Sequence, residues 1–155
     1  MIEQLYVIHV IDAGIAGGVF AASQPSDKKI LVVERDLNEK ERIVGELMQP
    51  DGLIALRKLG LSHLVENMDA QQVNGYKLIK KERSFKIEYK EIDQNISGLG
   101  LRNGKLLLNI QKELASKNNI HLIQGNVTEL IEENDQIKGV KFSDQSNEIH
   151  SIKAA

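Results

Sequence analysis

A turn rich in small residues, followed by an acid 20 positions later, is the part of the sequence best suited to bind a cofactor. Residues 12–18 read Asp-Ala-Gly-Ile-Ala-Gly-Gly, and Glu34 follows Gly14 by 20 residues. In a G-x-G-x-x-G turn the glycines allow a tight turn, a close approach to a pyrophosphate and close packing of helix on strand, and the later acid binds a ribose. The pattern indicates a dinucleotide site, and its spacing leaves both FAD and NAD open.

The first glycine of this turn is replaced by Asp12. Aspartate tolerates unusual backbone angles better than most residues, so we expect the turn to persist. A carboxylate about 4 Å from a phosphate costs roughly 1 kcal/mol in water and about 4 kcal/mol at an effective dielectric of 20. A plain tight turn without a ligand therefore remains the competing interpretation of these residues.

The turn needs a strand before it and a helix and strand after it. Residues 5–11 form an apolar run interrupted by His9, which predicts a buried strand. Residues 19–23 predict a short helix that ends before Pro25, and residues 29–34 predict a second strand ending in an acid. This order is typical of half of a parallel βαβ unit.

Further along the chain, periodicity and turn residues predict a mixed α/β arrangement. The predicted elements are a helix at 51–59 capped by Gly60, a strand pair at 76–79 and 85–89, a helix at 103–116, a strand at 120–123, a hairpin at 127–131 and 137–142, and a strand at 148–152.

Composition excludes several classes of function. The 155 residues carry a net charge of −2, which gives no electrostatic case for nucleic acid, and the absence of cysteine excludes disulfides and thiol chemistry. The chain has no apolar run of about 20 residues and no basic start, so we expect neither a transmembrane segment nor a signal peptide. The histidines lack ligand spacing, so no metal site is predicted, and His9 is interpreted as a core-strand substitution.

Several ordered segments closely resemble squalene monooxygenase (squalene epoxidase), a FAD-dependent family of sterol synthesis, and together they extend over nearly the whole chain. The resemblance is weak between residues 80 and 97. The segments are Glu34-Arg35-Asp36-Leu37, Arg42-Ile43-Val44-Gly45-Glu46-Leu47-Met48-Gln49-Pro50, Lys58-Leu59-Gly60-Leu61, Asp69-Ala70-Gln71, Val73-Asn74-Gly75-Tyr76, Asn103-Gly104-Lys105 and Leu130-Ile131-Glu132-Glu133.

The resemblance implies FAD as the cofactor and assigns its binding residues. The turn at Gly14, Ile15, Ala16 and Gly17 would bind the pyrophosphate through backbone N–H groups. The other implied contacts are Glu34 with the adenosine ribose, Arg35 near the adenine, Arg42 with FAD through charge-assisted hydrogen bonds, the backbone at Leu47 beside the flavin, and the backbone at Val127 with the adenine.

The resemblance also implies a reaction and its partners. Tyr76 and Gln49 match the tyrosine and glutamine that orient each other near substrate and flavin in this family. The implied reaction inserts one oxygen atom of O₂ into the terminal alkene of squalene, giving 2,3-oxidosqualene. The resemblance further implies that electrons come from NADPH through NADPH-cytochrome P450 reductase at the endoplasmic reticulum membrane.

Some positions depart from the family in ways that weaken binding of an anionic cofactor. Asp12 replaces a turn glycine, Asp51 replaces a glycine of the family's Gln-Pro-Gly-Gly, and Gln111 stands where the family has an arginine that contacts FAD. Loss of that arginine removes a charge-assisted bond worth about 1.5–3 kcal/mol.

We therefore predict an α/β, Rossmann-like FAD-binding domain of the flavin monooxygenase type, ending before its closing strand. Residues 1–155 would form a partial FAD-binding domain, without the family's substrate domain and C-terminal membrane region, and with an exposed sheet edge. The predicted function is the FAD-binding portion of a squalene monooxygenase. The alternative is a degenerate, non-catalytic binding or regulatory module.

Overall fold

The computed structural model describes residues 6–40, 46–89 and 97–154, which form two compact units. Unit 1 contains the described residues 6–39 and 107–154, and unit 2 contains the described residues 40, 46–89 and 97–106. The helices are α1 Ile15–Ser23, α2 Pro50–Lys58 and α3 Asn103–Ser116, with a 3₁₀ turn at Ser62–Val65. The strands are β1 Ile8–Ile11, β2 Ile30–Glu34, β3 Leu47–Met48, β4 Gln71–Val73, β5 Gly75–Lys80, β6 Arg83–Glu88, β7 Gly98–Gly100, β8 Ile120–Gln124, β9 Asn126–Glu133, β10 Gln136–Ser143 and β11 Ile149–Lys153.

A parallel sheet in the order β1-β2-β8 carries unit 1. All five residues of β2 are buried, as expected for a central parallel strand covered on both faces. Ile8 pairs with Ile30 and Ile30 with Ile120, so the carboxyl ends of the three parallel strands lie side by side. The predicted strand, turn, helix and strand are confirmed.

Helix α1 begins earlier than the sequence suggested. The prediction started it at Val19, whereas it begins at Ile15, so Gly17 and Gly18 lie inside the helix. A Cβ on Gly18 would stand 2.3 Å from Cγ2 of Ile110 on α3, which is fully buried. The small residues that read as an extended turn instead let α1 pack closely against its neighbours.

An antiparallel sheet in the order β11-β10-β9 completes unit 1 and confirms the predicted hairpin and final strand. Its central strand contributes Val140 and Phe142 to a core cluster that also contains Leu31 and Val33 of β2. The core of unit 1 therefore rests mainly on aliphatic side chains, in keeping with an aromatic content of only 4%.

Strand β1 lies at the edge of the parallel sheet. Beyond it, Tyr6 forms an isolated parallel bridge with Ala154. His9, in the middle of β1, has both ring nitrogens buried without a hydrogen-bond partner among the described residues. Burial lowers the pKa of His9, which favours the neutral form of the imidazole.

Unit 2 consists of short elements. Strands β3, β7 and β4 form one small antiparallel sheet, and β5 and β6 form a separate hairpin. Helix α2 ends at Lys58, and Gly60, two residues further on, has a φ of +72°, which suits the predicted glycine just past a helix C-terminus. Among the described residues, no helix is long and apolar enough to cross a membrane.

Candidate functional site

The turn after β1 adopts the backbone that its missing glycine would have supplied. Asp12 has a φ of +88°, in the region that glycine favours. Its N–H donates to the Val33 carbonyl oxygen at 2.9 Å, which holds the turn against β2. The expectation that the turn persists with aspartate is therefore confirmed.

The carboxylate of Asp12 lies over the start of α1. Its Oδ1 accepts a hydrogen bond from the Gly14 N–H at 3.0 Å. A Cβ built on Gly14 would be 2.9 Å from Oδ2 of the same carboxylate. The space beside the second glycine, where a phosphate would approach, thus already borders a negative charge.

Gly17 fills the role of the third glycine. A Cβ at this position would stand 2.2 Å from the Asp12 carbonyl oxygen and 3.1 Å from Cγ1 of Val10. Only a residue without a side chain allows α1 to approach β1 this closely. Ile15 and Ala16, the predicted pyrophosphate-binding residues, are exposed in the first turn of α1, where backbone N–H groups lack intrahelical partners.

The Glu34 carboxylate accepts hydrogen bonds from the segments that follow β1 and β2. It is only 4% exposed, its Oε2 accepts from the Ala13 N–H at 2.8 Å, and its Oε1 accepts from the Asp36 N–H at 3.0 Å. This bridging role was not predicted from the spacing. Arg35, the next residue, is exposed, and its carbonyl accepts from the Gln124 side chain at 3.3 Å.

Two further predicted cofactor residues of unit 1 lie on α3 and β9. Gln111 is buried on α3, with 7% exposure. Val127 on β9 is half-buried and packs against the core cluster. Arg42 lies outside the described residues, and its assignment remains a prediction.

Gln49 and Tyr76, the predicted catalytic pair, are brought together in unit 2. The Gln49 amide donates a hydrogen bond to the Tyr76 phenol oxygen. The ring of Tyr89 lies edge-on to Tyr76, with centroids 5.8 Å apart. The Tyr89 hydroxyl, followed by the Gln49 amide, lowers the pKa of Tyr76, whereas Tyr76 raises the pKa of Tyr89.

Two other predicted positions in unit 2 lie at element ends. Leu47 on β3 pairs with Gly100 and is half-buried. Asp51 stands exposed in the first turn of α2, where a negative charge is favourable toward the helix N-terminus. The substitution of glycine by Asp51 therefore has a local structural benefit that the sequence comparison did not reveal.

A cluster of possible metal ligands was missed from the sequence. Ligand atoms of Asp144, Glu148 and His150 lie within 4.8 Å of one another, and His150 Nε2 is 2.8 Å from Asp144 Oδ2. The His150 imidazole, followed by the Glu148 N–H, lowers the pKa of Asp144. The spacing of these residues carried no recognisable ligand motif, because the turn between β10 and β11 is what brings them together.

A cavity of about 670 Å³ opens at the amino ends of the parallel strands, lined in part by Tyr6, Lys29, Lys117 and His121. The Tyr6 hydroxyl and His121 Nδ1 are 2.5 Å apart at its wall. Open α/β sheets bind nucleotides at the carboxyl ends of their strands. This cavity is therefore at the opposite end from the turn at Asp12.

Comparison with known proteins assigns the chain to a family. The family model described as glucose inhibited division protein A matches residues 7–152. The chain belongs to this family. It is also 40% identical over 149 residues to squalene epoxidase 1 of Arabidopsis thaliana, covering 94% of this chain and 28% of that protein. Squalene monooxygenase of Mus musculus is 33% identical over 151 residues, covering 92% of this chain and 26% of that protein.

The resemblance to squalene epoxidases is thus confirmed, although the chain spans only about a quarter of the length of these relatives. Among solved structures, p-nitrophenol 4-monooxygenase PnpA of Pseudomonas putida superposes with a TM-score of 0.80 at 16% identity, covering 97% of this chain and 39% of that one. The predicted fold class, a Rossmann-like flavoprotein fold of the flavin monooxygenase type, is confirmed.

The residues of unit 1 fit a dinucleotide better than a plain turn. The approach at Gly17 leaves no room for a Cβ, and Glu34 is fixed where the strands end. The exposed first turn of α1 offers N–H groups and the positive end of the helix dipole. Asp12 is the one residue of the turn that opposes an anion.

Proposed function

We propose that this chain is the FAD-binding portion of a squalene monooxygenase. The observation that carries the proposal is its 33–40% identity to squalene epoxidases of plant and mouse over nearly its whole length. The strand-turn-helix-strand of unit 1 supports a dinucleotide cofactor, because it supplies both a phosphate-binding turn and a strand-end acid. The similarity to squalene epoxidases favours FAD over NAD.

The proposed FAD contacts in unit 1 begin at the α1 turn. Backbone N–H groups of the turn bind the pyrophosphate, and Glu34 binds the adenosine ribose while retaining its bonds to Ala13 and Asp36. When bound, FAD supplies the oxidation chemistry that the protein side chains lack. The complete proposed set in unit 1 is Gly14, Ile15, Ala16, Gly17, Glu34, Arg35, Gln111 and Val127.

Tyr76 and Gln49 are proposed to position the substrate. A phenol that accepts a hydrogen bond from a neighbouring amide is held in one orientation, and it can direct its own proton toward a ligand. Arg42 and Leu47 remain proposed FAD contacts by resemblance alone. Squalene as substrate, NADPH delivered through a P450 reductase, and association with the endoplasmic reticulum membrane belong to the same proposal.

A non-catalytic binding or regulatory module is the second candidate. It is favoured by the Asp12 carboxylate, which already holds the Gly14 N–H, and by the buried neutral amide of Gln111. Both features reduce the attraction of the site for the phosphates of FAD without disturbing the fold. A protein of this kind would keep the flavoprotein fold and lose turnover.

Titration of the purified chain with FAD tests the cofactor assignment. We expect flavin fluorescence to be quenched at a stoichiometry of one FAD per chain. FMN lacks the adenosine that Glu34 is proposed to hold, so it should bind at least about tenfold more weakly, a difference of about 1.4 kcal/mol. Equal affinity for FAD and FMN, or no quenching by either, would contradict the proposed site.

An epoxidation assay separates the two candidate functions. The chain is incubated with squalene, FAD, NADPH and P450 reductase, and 2,3-oxidosqualene is measured against a reaction without the chain. Formation of product that is lost in Tyr76→Phe supports the monooxygenase. Stoichiometric FAD binding with no product would instead support the binding module.

A further inference from the structure

Tyr89 stands immediately after β6, on the same side of the hairpin as Tyr76. Its N–H donates to the Asn74 carbonyl oxygen at 3.0 Å, which continues the β5–β6 ladder by one position. Tyr76 pairs with Ile87, and side chains two residues apart on a strand face the same side, so Tyr89 and Tyr76 are diagonal neighbours. Their rings meet edge to face, with centroids 5.8 Å apart and planes at 76°. The backbone of the hairpin therefore fixes a second phenol beside the first.

Strand β7 encloses the hydroxyl end of Tyr89. A Cβ built on the buried Gly98 would stand 3.1 Å from Cε2 of Tyr89 and 3.3 Å from its hydroxyl oxygen, so the phenol lies directly against this glycine. The hydroxyl oxygen of Tyr89 is buried, whereas Tyr76 is 41% exposed. Tyr89 thus faces the protein, and Tyr76 is open to a ligand.

The buried hydroxyl of Tyr89 needs a partner within the protein, because an unpaired buried donor is costly. It makes no hydrogen bond of regular geometry with a described residue, but it adjoins the Tyr76 hydroxyl and the Gln49 amide. Tyr89 lowers the pKa of Tyr76, and Tyr76 raises the pKa of Tyr89, as expected when Tyr89 donates its proton and Tyr76 accepts it. Hydrogen bonds at reaction sites are often long or poorly aligned without a ligand and tighten when the ligand binds.

We propose that Tyr89 is a positioning residue that fixes the phenol of Tyr76 through a donated hydrogen bond. The Gln49 amide also donates to the Tyr76 oxygen, so the acceptor side of that oxygen is engaged by the protein. The proton of Tyr76 is then the part of its hydroxyl left for a ligand. The inference rests on the proposed role of Tyr76 and Gln49 beside the substrate, and it adds a residue that neither spacing nor resemblance indicated.

Titration of tyrosinate absorbance in Tyr89→Phe tests the role of the hydroxyl, since phenylalanine keeps the ring against Tyr76 and removes only the donor. We expect the earliest tyrosinate step, that of Tyr76, to move to higher pH because the phenolate loses a hydrogen bond. Tyr6→Phe, which removes a hydroxyl from unit 1, is the matched control and should leave this step in place. Circular dichroism of each variant shows whether the fold is intact.

Two further measurements separate the hydroxyl from the ring. The double variant Gln49→Leu/Tyr89→Phe should move the step further than either single variant, because two donors to one oxygen are lost. In proton NMR of the unaltered chain, the Tyr89 hydroxyl proton should show a nuclear Overhauser contact with the ring of Tyr76. Tyr89→Leu removes ring and hydroxyl together and should give the same direction of shift as Tyr89→Phe.

Three outcomes would overturn the proposal. These are an earliest step that is unmoved in folded Tyr89→Phe, an equal shift in Tyr6→Phe, and a Tyr89 hydroxyl proton that contacts Gly98 but not Tyr76. A shift in Tyr89→Leu without one in Tyr89→Phe is the first of these and would show that Tyr89 acts by packing alone. Absence of FAD binding or of epoxide, with the tyrosinate shift intact, would count only against the proposed function.

Discussion

At the scale of single residues, Asp12 stabilises the turn after β1 and opposes the binding of an anion at the start of α1. Its backbone takes the left-handed conformation that the turn requires, and its carboxylate stabilises that turn by accepting from the Gly14 N–H. The same carboxylate places a fixed negative charge at the helix end that an anion would approach. Stability of the turn and affinity for a pyrophosphate are therefore set against each other in one side chain.

Removal of this charge should strengthen FAD binding. For Asp12→Asn, which keeps an oxygen acceptor and tolerates a positive φ, we expect a gain between about 1 and 4 kcal/mol, that is from about fivefold to about a thousandfold in affinity. The measurement is fluorescence titration with FAD at low salt. Asp135→Asn, an aspartate at φ +60° in the β9–β10 turn, is the matched control. An equal response of both variants would mean that local charge at the turn does not limit binding.

Tyr76 should be the first tyrosine to ionise. The Tyr89 hydroxyl and the Gln49 amide lower the pKa of Tyr76, whereas burial raises the pKa of Tyr6 and the neighbouring Tyr76 raises that of Tyr89. Since the chain has three tyrosines, absorbance of tyrosinate against pH resolves them. Tyr76→Phe should delete the earliest step, and Gln49→Leu should move that step to higher pH. An earliest step that survives in Tyr76→Phe would show that another tyrosine titrates first.

His9 should make the chain sensitive to acid. Burial lowers its pKa in the folded state, so unfolding at low pH lets the imidazole take up a proton. Well above pH 6.5, His9 is neutral in the folded and unfolded states and does not change the free energy of unfolding. As the pH drops below about 6.5, the ordinary histidine pKa, protonation of the unfolded state lowers that free energy. Urea unfolding at pH 7.5 and pH 5 should show a smaller loss for His9→Leu than for the original chain. The comparison variant is His63→Gln, at an exposed position, and an equally reduced loss in that variant would show that burial of His9 is not the cause.

At the scale of elements, the junction of β1 and α1 depends on Gly17. A side chain there would meet the Asp12 carbonyl at 2.2 Å, and a backbone atom cannot move aside as a flexible side chain can. We expect Gly17→Ala to destabilise the chain by about 3 kcal/mol or more in urea unfolding. Gly100→Ala, whose Cβ would have its nearest neighbour at 3.5 Å, should cost less than about 1 kcal/mol. Similar losses in both variants would refute the close approach at Gly17.

The elements that sequence predicted well are those with strong local patterns. Strand β2 reads as an unbroken apolar run ending at Glu34, and α3 repeats apolar residues three and four apart, so both were recognised. Strands β3, β4 and β7 contain two or three residues each, too few for a period to appear. Their pairing is fixed by contacts between distant parts of the chain.

Some features of the candidate site were predicted from the sequence and others were not, because the latter depend on contacts that form only in the fold. The turn and Glu34 follow from spacing along the chain, and the partnership of Gln49 with Tyr76 came from resemblance, since 27 residues separate them. The second role of Glu34, as acceptor for two backbone N–H groups, depends on where Ala13 and Asp36 lie in space. The cluster at Asp144 likewise exists only once the β10–β11 turn has formed.

At the scale of the whole molecule, the parallel sheet presents β1 as an edge. Val7, just before β1, and Ile11, the last residue of β1, are each 49% exposed, and unpaired strand edges promote association between chains. We expect the sedimentation coefficient to rise with protein concentration, and Val7→Lys to suppress that rise because an edge lysine opposes strand pairing. Ile137→Lys, at a site of 56% exposure on the central strand β10 of the antiparallel sheet, is the control. Equal suppression by both variants would indicate general repulsion between like charges.

The division of unit 1 into two stretches of chain has a consequence for its synthesis. Strand β2 ends at Glu34, but its second neighbour, β8, does not begin until Ile120. At about 5–20 residues per second, the ribosome needs roughly 4–17 s to make the intervening segment. Throughout that interval the most apolar strand of the nascent chain has one side unpaired, so newly made molecules pass through a period of exposure in which a chaperone has a binding site that the finished protein lacks.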